Sequence, residues 1–394
     1  MTRTVRSASG LLDDPSNGVT FGLEDVNEVV AIMVDEQAEE RPRDRELVTC
    51  RLGLDGESPE TLTLLGARAG VSRDRARQLY TRAVGQMVRR VQATGYPETA
   101  VFAERYPVGW GEQRLVRTLL AETYATDGDI AAQDWAYLKL RLAGHDLQDS
   151  KRLAGFVFQR IAGWQQKGRW HLLPSAQVEK VPAAAWNPWL RRVEWAEGTP
   201  DELPDGPARV LDYADDGRGS MFAEKLGREV SFDTGLQARL LRMLDGSERV
   251  EAFQESPVGV EYELDGADRV HYPTAVARFS DGRVVLIDVM PLGHAAVHAN
   301  RAKAAAGRAY AHAHGWGWLV WTGSHSGVAD LARRAVDPRI ENILRNRLAD
   351  GPVDWDELRR CRDETGMELL DLAALVLKHE WRWDRGPFRL ARTS

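Results

Sequence analysis

The sequence predicts a multidomain chain, helical through its first half and mixed α and α/β through its second. Three observations lead there. Up to about residue 168, apolar residues recur at helical spacing, broken by Gly, Pro and Ser. Beyond residue 220 short strand-like runs enter, including "HYPTAVARFSDGRVVLIDVMPLG" (271–293), where apolar runs flank Ser280-Asp281-Gly282 as antiparallel strands flank a turn. The length of 394 residues leaves room for several cores.

In chain order, residues 1–35 read as a polar, flexible lead-in followed by a helix carrying Val26, Val29, Val30, Met33 and Val34 on one side. Residues 36–95 hold three helical segments (42–51, 60–69 and 72–92) separated by "GLDGESP" and by Gly70. Residues 96–200 form a helical middle region ending in "GRWHLLP", the first strand of a small wing if the region is a winged helix. Residues 174–215, rich in Pro, Asp and Gly, read as a connector. Residues 215–325 form the α/β part: a helix at 232–245, the hairpin, an alanine-rich helix at 293–315 and the strand "WGWLVWT" (316–322). In that strand Trp316 and Trp318 share one face and Trp321 takes the other, a core-packing pattern. Residues 326–394 form a helical tail ending in a β-ribbon, in winged-helix order; Arg359, Arg360, Arg382, Arg385, Arg389 and Arg392 make it either a phosphate contact or a structural cap.

Composition narrows the function. Hydrophobic content of 43% and charged content of 28% are ordinary for a globular chain, and no apolar run approaches the ~20 residues of a membrane span. The N-terminus lacks the apolar core of a secretory signal, and Cys50 and Cys361 form no disulfide framework, so a cytoplasmic, nucleoid-associated location is expected. Net charge is −7, yet Ser72–Gln92 carries six arginines against one acid. A basic stripe on an acidic chain predicts a localised phosphate-binding face.

That stripe lies within "RDRELVTCRLGLDGESPETLTLLGARAGVSRDRARQLYTRAVGQMVRR". Leu47, Leu62, Leu65, Ala69, Val71, Ala76, Leu79 and Val84 are spaced to close a three-helix core, and "AGVS" joins the last two helices as a helix-turn-helix. Ser72 is the expected N-cap, with Asp74 complementing the helix dipole. Arg73, Asp74, Arg77 and Gln78 project from the half of the helix that enters the major groove in such motifs. Arg75, Arg82, Arg89 and Arg90 are placed for phosphates. The segment resembles the C-terminal promoter-reading domain of bacterial housekeeping sigma factors, over about 50 residues. The resemblance implies that Arg73, Asp74, Arg77 and Gln78 read bases. It departs in having few acids in "TLTLLGARAG" and in the small Ala76.

The α/β part resembles the PD-(D/E)xK nucleases, a restriction-endonuclease-like fold, and among them the TnsA-type transposon endonucleases, over roughly residues 219–323. The matching blocks are "GSMFAEKLGREVSFDTGLQARLLRMLD", "YPTAVARFSDGRVVLIDVMP" and "HGWGWLVWT". The resemblance implies an aspartate after a proline, a second carboxylate and a lysine two residues on, together holding Mg²⁺ and the attacking water. Here those positions are Thr274 (after Pro273), Asp288 and Met290. The preceding helix, where the family often carries a glutamate, offers Asp233 and Gln237. Losing even one preorganised catalytic group commonly costs ~10²–10³ in rate. Lys303 from the next helix, or His294 and His298 at metal-ligand spacing, could compensate. The expectation is a catalytically inactive nuclease-like domain with no cofactor.

The leading reading is thus a sequence-specific double-stranded DNA-binding protein, a regulator or architectural factor, with homodimerisation open. The alternatives are an active endonuclease of a transposition or defence system, using Mg²⁺, and a protein that docks on RNA polymerase.

Overall fold

The computed structural model describes residues 20–38, 42–126, 128–170, 181–209, 219–324 and 326–393. Eight helices make up the described first half: α1 (Phe21–Ala38), α2 (Pro42–Leu52), α3 (Leu62–Arg68), α4 (Arg73–Thr94), α5 (Ala100–Arg105), α6 (Glu112–Thr126), α7 (Ala132–Leu142) and α8 (Leu147–Trp170). Val30, Val48, Met87, Leu119, Leu138 and Val157, drawn from six of them, meet in one apolar core. The boundary expected at residue 95 therefore falls inside a shared core. Leu47, Leu62, Leu65, Ala76 and Leu79 close a small satellite core with Val71 against it, while Val84 joins the larger one and Ala69 is only half-buried. The strand expected to start at Gly168 is instead the last turn of α8, and His171–Pro174 lies outside the described residues.

Within the supposed connector, residues 174–180 and 210–215 lie outside the described residues, and those around 186–193 belong to the α/β body. A short turn and α9 (Asn187–Leu190) bring Trp186, Trp189, Leu190 and Val193 into its core, with Trp186 edge-on to Phe279. Apolar burial outweighs the Pro- and Gly-rich composition that suggested a linker.

That body opens with a hairpin of β1 (Gly219–Ala223) and β2 (Arg228–Phe232), then α10 (Gly235–Gly246) and β3 (Val250–Glu255). A second hairpin, β4 (Val260–Leu264) and β5 (Ala267–His271), precedes β6 (Ala275–Phe279), β7 (Val284–Val289), α11 (His298–Ala313) and β8 (Gly317–Trp321). The main sheet runs β3-β6-β7-β8, antiparallel except for the parallel pair β7–β8. That parallel pair requires a crossover, and α11 supplies it. Val285 and Ile287 face a core that includes Leu240 and Leu241 of α10; Val284 and Leu286 face Ala311 of α11. All six residues of β7 are buried, and each large aliphatic one contributes ~1.5–3 kcal/mol. Trp316, Trp318 and Trp321 are buried as expected, the first two on the α11 side and the third on the α10 side. At Gly307 a Cβ would lie 2.4 Å from the Trp318 ring, so only glycine lets α11 sit this close.

The tail comprises α12 (Val328–Ala332), α13 (Pro338–Asp350), α14 (Trp355–Thr365), α15 (Leu369–His379) and the hairpin β9 (Arg382–Asp384) with β10 (Arg389–Ala391); Val353 bridges Leu390. The helix that would enter a groove, α15, is instead buried from Asp371 through Val376, against α12 and the turn Leu292–Ala296. The tail is sewn to α1 at the other end of the chain, while Arg359, Arg360, Arg389 and Arg392 stay exposed. Trp355 Nε1 and Arg362 Nη1 donate to the two Asp25 oxygens (3.0 and 2.8 Å), Arg385 pairs with Glu24 (3.0 Å), and the Phe388 N–H donates to Glu28 (2.8 Å).

Candidate nucleic-acid interface

α3 and α4 are joined by a tight turn whose geometry follows from its residues. Thr61 caps α3 by accepting from the Leu64 N–H (3.2 Å), and Ser72 caps α4 by accepting from that of Arg75 (3.3 Å). A Cβ on Gly66 would lie 2.8 Å from the Val71 carbonyl oxygen, so glycine sets the closeness of the two helices. One buried arginine ties this unit to its neighbours: Arg51 pairs with Asp134 (2.7 Å) and donates to the carbonyls of Glu60 (2.9 Å) and Ile130 (3.1 Å). Sequence reading passed over Arg51, which looks like any surface charge until its partners converge.

Seven of the eight residues expected to meet DNA are exposed on α4: Asp74, Arg75, Arg77, Gln78, Arg82, Arg89 and Arg90. Arg73 is half-buried at the helix start, its backbone N 3.2 Å from where a Gly66 Cβ would be, and so departs from a fully projecting base reader. Arg75 Nη1 donates to Gln78 Oε1 (3.1 Å), and Arg82 pairs at 3.4 Å with buried Asp44. Arg75 is exposed and water screens its contact, so it can turn to a phosphate at little cost, whereas Arg82 also neutralises the buried Asp44 carboxyl.

The nuclease-like positions have other engagements. The β6–β7 register pairs Ala275 with Ile287 and so sets Thr274 opposite Asp288. Both are buried. Asp288 Oδ2 lies 2.9 Å from His271 Nε2, and its Oδ1 accepts the Val289 N–H (3.0 Å). Met290 is buried, with no polar atom for a metal or a water. Asp233 and Gln237 serve the start of α10: Gln237 Oε1 accepts the Asp233 N–H (2.8 Å), and Asp233 pairs with Arg209 (3.3 Å). The donor set does not fit Mg²⁺, which wants hard oxygens that are free to coordinate. Among the described residues, no group of three His, Cys, Asp or Glu side chains is disposed to hold a metal.

The compensating residues are also taken. Lys303 does not reach back toward Asp288; it forms a buried ion pair with Glu57, which also accepts from the Tyr262 hydroxyl (3.0 Å). Burial works to raise the Glu57 carboxyl, but Lys303, Tyr262 and Arg269 together leave it below its ordinary value. His294 and His298 do not share one helical face, because extended Val297 separates the turn Leu292–Ala296 from α11. His294 faces Glu24 (3.8 Å) and His298 faces Asp265 (3.8 Å).

Glu57 belongs to "GLDGESP", the loop before α3, and that loop is wedged into the rest of the molecule. A Cβ on Gly56 would lie 2.8 Å from Val297, and one on Gly386 would lie 2.7 Å from the Leu54 carbonyl oxygen. The loop that leads into the two-helix turn is therefore braced against both the α/β body and the tail. Neither Glu57 nor His271 was singled out from the sequence; each acquires a role only through a partner distant in the chain.

No protein-family model, curated protein or solved structure matches this chain. No helix among the described residues is long and apolar enough to cross a membrane.

Proposed function

We propose that this protein binds double-stranded DNA with sequence preference, using α4 as its reading helix, and that its α/β body is a non-cutting, restriction-endonuclease-like scaffold. One observation carries the reading. A capped helix standing on a tight two-helix turn presents Asp74, Arg75, Arg77 and Gln78 to solvent from its first two turns. Arginine forks match guanine and glutamine matches adenine, whereas Arg82, Arg89 and Arg90 further along suit phosphates. The resemblance to sigma-factor promoter-reading domains points the same way. The non-cutting role is supported by the residues around Asp288: a histidine on one oxygen, Met290 in place of lysine, and Lys303 neutralised by Glu57.

Selection of bound sites from a random duplex library tests the reading. The full chain should enrich one motif, and Gln78→Ala should relax one base pair of it. A library that comes through unenriched would refute the proposal.

A further inference from the structure

We infer that a cleft between α11, β8 and the tail is a binding site for a nucleoside monophosphate group, recognised by two arginines on α11. The cleft holds about 600 Å³, within the ~300–1,000 Å³ of small-molecule sites. Its floor is built from Arg301, Ala304, Ala305 and Arg308, which share one face of α11 at spacings of three, four and seven. The two arginines thus leave the helix two turns apart, about 10 Å along the axis, with alanine surface between them. Val320 of β8 and Leu377 of α15 supply apolar walls, leaving room for a flat body.

The state of each arginine decides which can take a ligand. Arg192 and Arg382 at the rim are committed to carboxylates, Asp330 (2.9 Å) and Asp384 (2.7 Å). Arg301 is held by a neutral group, donating through Nη1 to the Trp381 carbonyl (2.8 Å), so its position is fixed while its charge is not cancelled there. Arg308 pairs with Glu194 at 3.1 Å, but the two side chains are 48% and 53% exposed. Such a pair is worth little and exchanges readily for a bound anion. The exchangeable fork of Arg308 suits a phosphate, which offers more acceptor oxygens than a carboxylate, and Arg301, two turns away, is left for the far end of the ligand. Glu194 and Glu380 also line the cleft and keep its net charge low, favouring a monophosphate over a polyphosphate.

A free nucleotide and the 5′-phosphorylated end of a strand carry the same group. Titration calorimetry on the full chain with AMP, a 5′-phosphorylated thymidine dinucleotide and inorganic phosphate separates the two sources. Saturable one-to-one binding of AMP or the dinucleotide is expected, the tighter ligand identifying the source. Arg308→Ala should weaken it about tenfold or more, and Ala305→Phe, at an exposed helical position, should abolish it with the thermal melt unchanged. Arg89→Ala on α4 should leave it untouched. The inference is overturned if neither nucleotide binds, if inorganic phosphate binds as tightly, or if binding survives Ala305→Phe.

Discussion

Arg77 and Gln78 are exposed on α4, and Gln78 bonds to Arg75 on the same helix, so replacing either should change recognition without changing stability. Arg77→Ala or Gln78→Ala should each lose about 1–3 kcal/mol of discrimination at one base pair, measured by competition between matched and mismatched duplexes. Arg89→Ala should weaken binding to all sequences alike and reduce the salt slope by about one. The exposure of these side chains on α4 could be read from the sequence because it depends on local helical periodicity and a local cap. Lys303 could not be read that way. Its partner Glu57 comes from the other half of the chain, and spacing along α11 says nothing about it.

For single elements, the decisive residues are those that fix where a helix starts and how closely it packs. Ser72→Ala removes the α4 cap and should cost about 1 kcal/mol in chemical denaturation, with some loss of DNA affinity because the reading turn is the one that frays. Part of the α/β body was legible: both strands of the 271–293 hairpin, α10 and β8 lie close to where periodicity put them. The start of α11 was not, because Val297 adopts an extended conformation that alanine-rich composition does not reveal. The tryptophans at 186 and 189 held the clue that the connector was core, since large aromatics are seldom left on a flexible linker.

Across the whole molecule, two sets of buried charges brace parts that are far apart in sequence. Breaking the Glu57–Lys303 pair from one side leaves an uncompensated buried charge; Glu57→Ala should destabilise by about 3–5 kcal/mol, and adding Lys303→Met should recover part of the loss. The second set joins α1 to the tail. Burial pushes the Glu28 carboxyl up to about 7, opposed by the Phe388 N–H and Arg385 and reinforced by Glu24 and Asp35. An acid whose folded pKa exceeds its ordinary 4.5 is easiest to bury while protonated, so its contribution is full below that value and is lost as pH rises through 7. Glu28→Gln should therefore raise the melting temperature at pH 8 and change it little at pH 5, a difference of roughly 3 kcal/mol at most. A pH-independent effect would place the Glu28 proton elsewhere. No sequence pattern announces this clasp, since its partners sit at opposite ends of the chain.

The most direct test puts one labelled duplex library and supercoiled plasmid through the same preparation of this chain, with Mg²⁺ or Mn²⁺ present throughout. The expected result is an enriched motif that Gln78→Ala blurs, with the plasmid left supercoiled. Metal-dependent nicking abolished by Asp288→Ala, with no motif recovered, would contradict it.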